Sequence, residues 1–161
     1  MNFHYSSPNY EIRAAEKKPY MIVIHYTGMK TSKEAIERLC EPSSKVSAHY
    51  LVEEDGSVYC LVDEKHRAWH AGVSEWEGET DINSVSIGIE LVNPGHEHGY
   101  REFPLVQMQA LSELCKGIME RHEIEVVLGH SDVAPGRKMD PGELFDWIWL
   151  GRSGVENIHS K

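Results

Sequence analysis

Long apolar runs are absent from this sequence. No stretch reaches the about 18 to 20 apolar residues that cross a bilayer, and residues 1–20 contain no apolar core like that of a signal peptide. Basic residues are also few, since 16 Lys and Arg stand against 26 Asp and Glu, a net charge of −10 at pH 7. Such a charge repels a phosphate backbone and an anionic lipid surface. We therefore expect neither nucleic acid nor a membrane as a partner.

Cysteine is equally scarce. Cys40, Cys60 and Cys115 are an odd number, and none belongs to a Cys-x-x-Cys pair. This usage argues against a disulfide framework and against a zinc site built from cysteines. It fits a reducing compartment best, so we predict a cytoplasmic protein. A periplasmic location is the alternative if a leader precedes Met1.

The remaining composition is that of one folded domain. The chain has 161 residues, of which 40% are hydrophobic and 26% charged, which is enough apolar material for a core. Polar residues 1–20 predict an irregular lead-in, residues 21–150 the domain itself, and residues 151–161 a loose C-terminal tail.

Short apolar runs alternate with helical patterns along the domain. In chain order we predict a strand over 21–25, a helix over 31–40 with a capping box, a hairpin turning at Glu54-Asp55-Gly56, a strand over 85–92, a long helix from Pro104 to Met119, and a strand over 125–130. Strands mixed with helices in this order indicate an α/β fold, with one mixed central β-sheet flanked by helices.

Ten histidines are many for this length, and two of them close predicted buried strands. His25 ends one strand and His130 another, and neighbouring strands of a sheet can bring such ends together. A catalytic zinc takes three protein ligands, often two nitrogens and one oxygen, and Asp140 offers the oxygen. The pattern therefore predicts a metal site of His25, His130 and Asp140. Strand-end histidines also cap or pack, and the residues alone leave that alternative open.

Glu90 is a carboxylate within an apolar strand. Burying an unpaired charge is costly, so Glu90 either faces solvent from an edge strand or has a partner in the interior. If it faces a metal, it can act as a general base towards water. Gly88 leaves room beside it on the sheet, which indicates close approach by another group.

Six short motifs follow one another between residues 20 and 150. They are 25–27 (HYT), 46–52 (VSAHYLV), 68–72 (AWHAG), 86–91 (SIGIEL), 129–132 (GHSD) and 138–142 (KMDPG). Together they resemble the zinc-dependent N-acetylmuramoyl-L-alanine amidases of type 2, close to the AmpD and AmiD branch. That family shares a superfamily with phage lysozyme-amidases and animal peptidoglycan recognition proteins.

The resemblance implies hydrolysis of the amide between N-acetylmuramic acid and the first L-alanine of the stem peptide, in cell-wall turnover or recycling. It implies one Zn²⁺ held by His25, His130 and Asp140, with Glu90 as general base and Lys138 as the cation that stabilises the oxyanion. The implied partners are peptidoglycan fragments or muropeptides, and we expect a monomer. In the phage and animal branches a tyrosine precedes the histidine of the hairpin motif, whereas this chain has Ala48, which leaves proton transfer to Glu90.

Four residues are predicted to line the substrate groove: Trp69, His70, His49 and Asn83. For Trp69 a place in the core is the alternative, and for His49 a structural role. Two other functions stay open, a peptidoglycan-binding module without catalysis and a zinc peptidase acting within the stem peptide. The presence of Asp140, Glu90 and Lys138 favours an enzyme over the binding module and leaves the peptidase open.

Overall fold

The computed structural model of the protein describes residues 1–159. In chain order the elements are β1 Tyr10–Ile12, β2 Met21–Tyr26, α1 Ser32–Cys40, a 3-10 turn Pro42–Ser44, β3 Tyr50–Val52, β4 Val58–Cys60, β5 His66–Ala68, α2 Ile82–Val85, β6 Ser86–Leu91, α3 Leu105–Arg121, β7 Val126–Gly129, α4 His130–Val133 and α5 Trp147–Arg152. Among these described helices, none is long and apolar enough to span a membrane.

Over residues 1–159, five strands form the central sheet in the order β4-β3-β6-β2-β7. β6 lies between β3 and β2 and is parallel to both, β7 is parallel to β2, and β4 adds an antiparallel edge. β3 and β4 form the predicted hairpin, with Tyr50 opposite Cys60. The predicted mixed sheet flanked by helices is therefore confirmed. Because β2, β6 and β7 are parallel, their carboxyl ends meet at one edge of the sheet.

One face of the sheet is covered by α3. Alternate residues of the strands, such as Ile22 and Ile24 of β2 and Ile87 and Ile89 of β6, pack there against the apolar stripe of α3. Each fully buried side chain of this kind stabilises the fold by about 1.5 to 3 kcal/mol. The strand register places the intervening residues on the other face, where polar side chains can gather.

That other face carries the chemistry. Parallel pairing places His25 of β2 directly beside Glu90 of β6. Because side chains alternate along a strand, Ser86 and Gly88, which precede Glu90 in β6, lie on the same face as Glu90. His130 differs from its prediction, since it begins α4 instead of ending β7. The Asp132 carboxylate accepts from the Gly129 N–H at 2.8 Å, and the Ala134 N–H donates to the His130 carbonyl, so the chain turns into a helix there.

Both ends of the chain are more ordered than predicted. The lead-in over 1–20 contains β1, which pairs with β5, and Arg13 is buried and donates to the carbonyls of Asn83, Ser84 and Ser86. The predicted tail returns to the sheet by residue 159, where the His159 N–H donates to the carbonyl of Val127. Its last two residues lie outside the described part of the chain.

Candidate metal centre and active site

The three predicted ligands converge below a cleft. His25 Nδ1 lies 3.0 Å from His130 Nδ1 and 3.1 Å from Asp140 Oδ2, and the third edge of the triangle is 3.2 Å. All three side chains are nearly inaccessible to solvent. β2 positions His25, the turn from β7 into α4 positions His130, and the loop after α4 carries Asp140 to them.

In each histidine, the hydrogen-bond partner of Nε2 determines which of the two ring nitrogens carries the proton. His130 Nε2 lies 2.9 Å from the Ala71 carbonyl, which can only accept, so His130 Nε2 donates and Nδ1 is left with its lone pair. His25 Nε2 lies 2.9 Å from His70 Nδ1. Burial lowers the pKa of His25 to about 4, so its ring is neutral near pH 7.

This arrangement fits a zinc ion. A tetrahedral zinc with bonds of about 2.0 to 2.1 Å holds its ligand atoms about 3.3 Å apart, close to the observed triangle of donor atoms. When His25 also carries its proton on Nε2, the lone pairs of both Nδ1 atoms and the carboxylate oxygen of Asp140 point at one another. Three acceptor atoms this close repel one another unless a cation lies between them. His25, His130 and Asp140 are therefore a group that could hold a metal ion.

Glu90 and Lys138 stand beside this cluster at the cleft. Glu90 reaches the cleft, yet its Oε2 atom is buried and accepts no hydrogen bond from any residue between 1 and 159. Burial and the neighbouring charge of Asp140 raise the pKa of Glu90 well above its ordinary value, while Lys138 opposes them. Lys138 is exposed at the cleft, two residues before Asp140. A desolvated carboxyl and a cation therefore flank one metal-competent centre.

The cleft has a volume of about 380 Å³ and contains two of the predicted groove residues, Trp69 and His70. Trp69 is half-buried, and its indole N–H donates to Glu11 of β1 at 3.1 Å. Because the lead-in therefore holds one wall of the groove, residues before 20 contribute to the site. Substrate contact by Trp69 and His70 stays a prediction.

His49 and Asn83 lie deeper than expected. His49 has no exposed surface, and its ring bonds the Gly88 N–H and the His66 carbonyl, so the prediction that it lines the groove is wrong and it supports the sheet instead. Asn83 is 9% exposed, and its Oδ1 accepts from the N–H groups of His70 and Ala71. Asn83 therefore holds the backbone of the 68–72 motif, and a substrate contact for it stays a prediction.

No sequence pattern predicts the group that fastens the Asp140 loop. The Tyr100 hydroxyl donates to the Pro141 carbonyl at 2.7 Å and accepts from the Leu144 N–H at 2.9 Å. His96 stacks on Tyr100 with ring centroids 4.1 Å apart and bonds the Tyr26 hydroxyl at 2.8 Å. His96 and Tyr100 come from the β6–α3 connection and Tyr26 ends β2, so only the tertiary fold brings them against the loop that carries Asp140.

Two imidazoles and one carboxylate at the base of a cleft, with a second carboxylate and a lysine beside them, are typical of metal-dependent hydrolases. Comparison with known families gives the particular class. The family described as N-acetylmuramoyl-L-alanine amidase matches residues 15–143, and the chain belongs to it. The family resemblance that the sequence motifs carry is thereby confirmed.

Individual proteins of the amidase family are also similar to this chain. The chain is 39% identical to N-acetylmuramoyl-L-alanine amidase AmiD of Escherichia coli K12 over 90% of this chain and 56% of AmiD. It is 32% identical to 1,6-anhydro-N-acetylmuramyl-L-alanine amidase AmpD of Haemophilus influenzae over 88% of this chain and 85% of AmpD. It thus spans little more than half of AmiD and most of AmpD.

A solved structure shares the fold. The complex of Escherichia coli AmiD with anhydro-N-acetylmuramic acid-L-Ala-D-γ-Glu-L-Lys superposes with a TM-score of 0.79 at 38% identity, covering 90% of this chain and 61% of that one. The amidase fold is therefore present in this chain, with the metal-competent cluster at its cleft.

Proposed function

We propose that this chain is a zinc hydrolase that cuts the amide between N-acetylmuramic acid, or its anhydro form, and the L-alanine of a peptidoglycan stem peptide. The observation that carries the proposal is the convergence of His25 Nδ1, His130 Nδ1 and Asp140 Oδ2 below the cleft. The ligand in the AmiD complex, an anhydromuramyl tripeptide, supports this class of substrate.

A zinc ion held by His25, His130 and Asp140 would act as a Lewis acid, polarising the amide carbonyl and making a water more acidic. Glu90 then accepts a proton from the attacking water and returns it to the leaving nitrogen. Its raised pKa, caused by burial and by Asp140, suits a group that must hold a proton between the two transfers. Lys138 lines the same cleft, and we assign to its ammonium group the stabilisation of the negative charge that develops on the carbonyl oxygen.

Digestion of a purified anhydro-muropeptide by the zinc-loaded protein, with products identified by mass, tests the reaction. Release of an intact stem peptide with a free L-alanine amino end supports the amidase. Cleavage between stem residues would instead indicate a peptidase. Binding of the muropeptide without cleavage would indicate a non-catalytic recognition module.

Metal analysis tests the ligand set separately. We expect one zinc per chain in the wild type and none retained by His130→Ala after desalting, because a site with two remaining ligands binds zinc far more weakly. Equal zinc in both proteins would overturn the assignment. The cytoplasmic location and the monomeric state stay predictions, to be checked by cell fractionation and by light scattering.

A further inference from the structure

A buried chain of hydrogen-bonding groups runs away from the metal-competent cluster. His25 Nε2 lies 2.9 Å from His70 Nδ1, and His70 Nε2 lies 2.9 Å from Ser86 Oγ. Ser86 Oγ in turn donates to the carbonyl of Ile82 at 2.6 Å. All of these contacts are buried, so water does not compete for them.

The last link sets the direction of the whole chain. A serine hydroxyl has one proton, and the Ile82 carbonyl can only accept it. Ser86 Oγ must therefore accept from His70, which places the proton of His70 on Nε2. In a neutral ring His70 Nδ1 then accepts from His25 Nε2. His25 is left with an unprotonated Nδ1, the atom that faces Asp140 and His130.

The second ligand needs no such chain. His130 Nε2 faces the backbone carbonyl of Ala71, an acceptor whose role cannot reverse. His25 faces another histidine, and a histidine nitrogen can donate or accept. The tautomer of His25 therefore depends on the hydroxyl of Ser86, which is two hydrogen bonds away from His25, with His70 between them.

We propose that His70 and Ser86 are positioning residues, which fix the tautomer and ring orientation of His25 and so prepare its Nδ1 for the metal. The inference rests on the metal site of the proposed function, but not on the identity of the substrate. Outer groups of this kind typically change metal affinity by about 10- to 100-fold.

The sheet is built to admit the His70 ring. A Cβ atom at Gly88 would lie 2.4 Å from His70 Cγ, so a side chain of any size at that position would displace the ring. The Gly88 N–H is itself held at 3.0 Å by His49 Nδ1. The close approach that Gly88 permits is thus made by His70, and Gly88→Ala offers a way to move the ring without removing it.

Long-range ¹H–¹⁵N NMR spectra of the histidine rings in the metal-free protein test the direction of the chain. We expect His70 and His25 each to carry one proton on Nε2. In Ser86→Ala we expect His70 to lose this single tautomer, and zinc affinity, measured by competition with a chromophoric chelator, to fall about tenfold. Ser112→Ala is the matched control, because Ser112 is also a buried serine but bonds Ser153, away from the site.

A second pair of variants separates hydrogen bonding from packing. His70→Leu removes the acceptor, whereas His70→Asn can place an amide oxygen near the position of Nδ1. We expect zinc affinity to fall about 10- to 100-fold in His70→Leu and to recover most of the way in His70→Asn. A proton on His70 Nδ1 in the wild type, or wild-type affinity in both Ser86→Ala and His70→Leu, would overturn the proposal. These measurements need no muropeptide, so they stand apart from a failure of the hydrolysis assay.

Discussion

Glu64 ties the end of α3 to the hairpin, and replacing it gives a stability effect that can be worked out from the structure. Its carboxylate accepts from Arg121 at 2.8 and 2.9 Å, from His122 at 2.9 Å and from the Tyr50 hydroxyl. Burial raises the pKa of Glu64, but the hydrogen bonds outweigh it and lower the pKa from 4.5 to about 2.

The difference between 4.5 and about 2 corresponds to about 3.5 kcal/mol at about 1.4 kcal/mol per pKa unit. Because the Arg121 side chain is 48% exposed, solvent screening reduces this, and we expect Glu64→Gln to lower the free energy of unfolding by about 2 kcal/mol at pH 7. The folded-state pKa lies below the unfolded value, so the stabilisation is complete above about pH 5 and is lost as the pH falls towards about 2.

Urea unfolding of the metal-free protein, followed by tryptophan fluorescence at pH 7 and pH 3, measures both quantities. More than half of the difference between wild type and Glu64→Gln should disappear at about pH 3. Glu54→Gln is the matched control, because Glu54 also pairs with an arginine, Arg101, but at the surface, where such a pair contributes about 0.5 kcal/mol. Equal losses in the two variants, or a Glu64→Gln loss that does not change with pH, would refute the reasoning.

Four further outcomes are expected at the site. Glu90→Gln should keep zinc and fold but reduce hydrolysis about 100- to 10,000-fold, and a near-normal turnover number would exclude Glu90 as the base. Lys138→Ala should lower kcat about 100-fold with little change in KM, whereas a change confined to KM would argue for a binding role. Tyr100→Phe removes both hydrogen bonds to the Asp140 loop, so zinc should transfer to a chelator several-fold faster, and an unchanged transfer rate would contradict the fastening role. Removing the metal should abolish hydrolysis and lower Tm, and added zinc should restore both; activity that survives a chelator would count against the zinc site.

Local chemistry explains why much of the fold could be predicted. Thr31 accepts from the Glu34 N–H at 3.1 Å, as the capping-box spacing predicts, and α1 begins at the next residue. The Asp55-Gly56 turn predicts the hairpin, and the apolar stripe predicts α3. The order of the N-terminal lead-in could not be predicted in this way. The burial of Arg13 depends on the carbonyls of Asn83, Ser84 and Ser86, and no local sequence pattern contains that information.

The sequence by itself determined the main strands and helices of the domain and, through six motifs, the family and the three metal-competent residues. The tertiary structure alone decided what those residues can do. His25 meets Asp140 across 115 positions of sequence, and its tautomer is set through His70 by Ser86, a link that exists only because β6 lies beside β2. Residue types and local patterns can be read directly from the sequence, whereas the direction of a hydrogen bond depends on which donor and acceptor the fold places together.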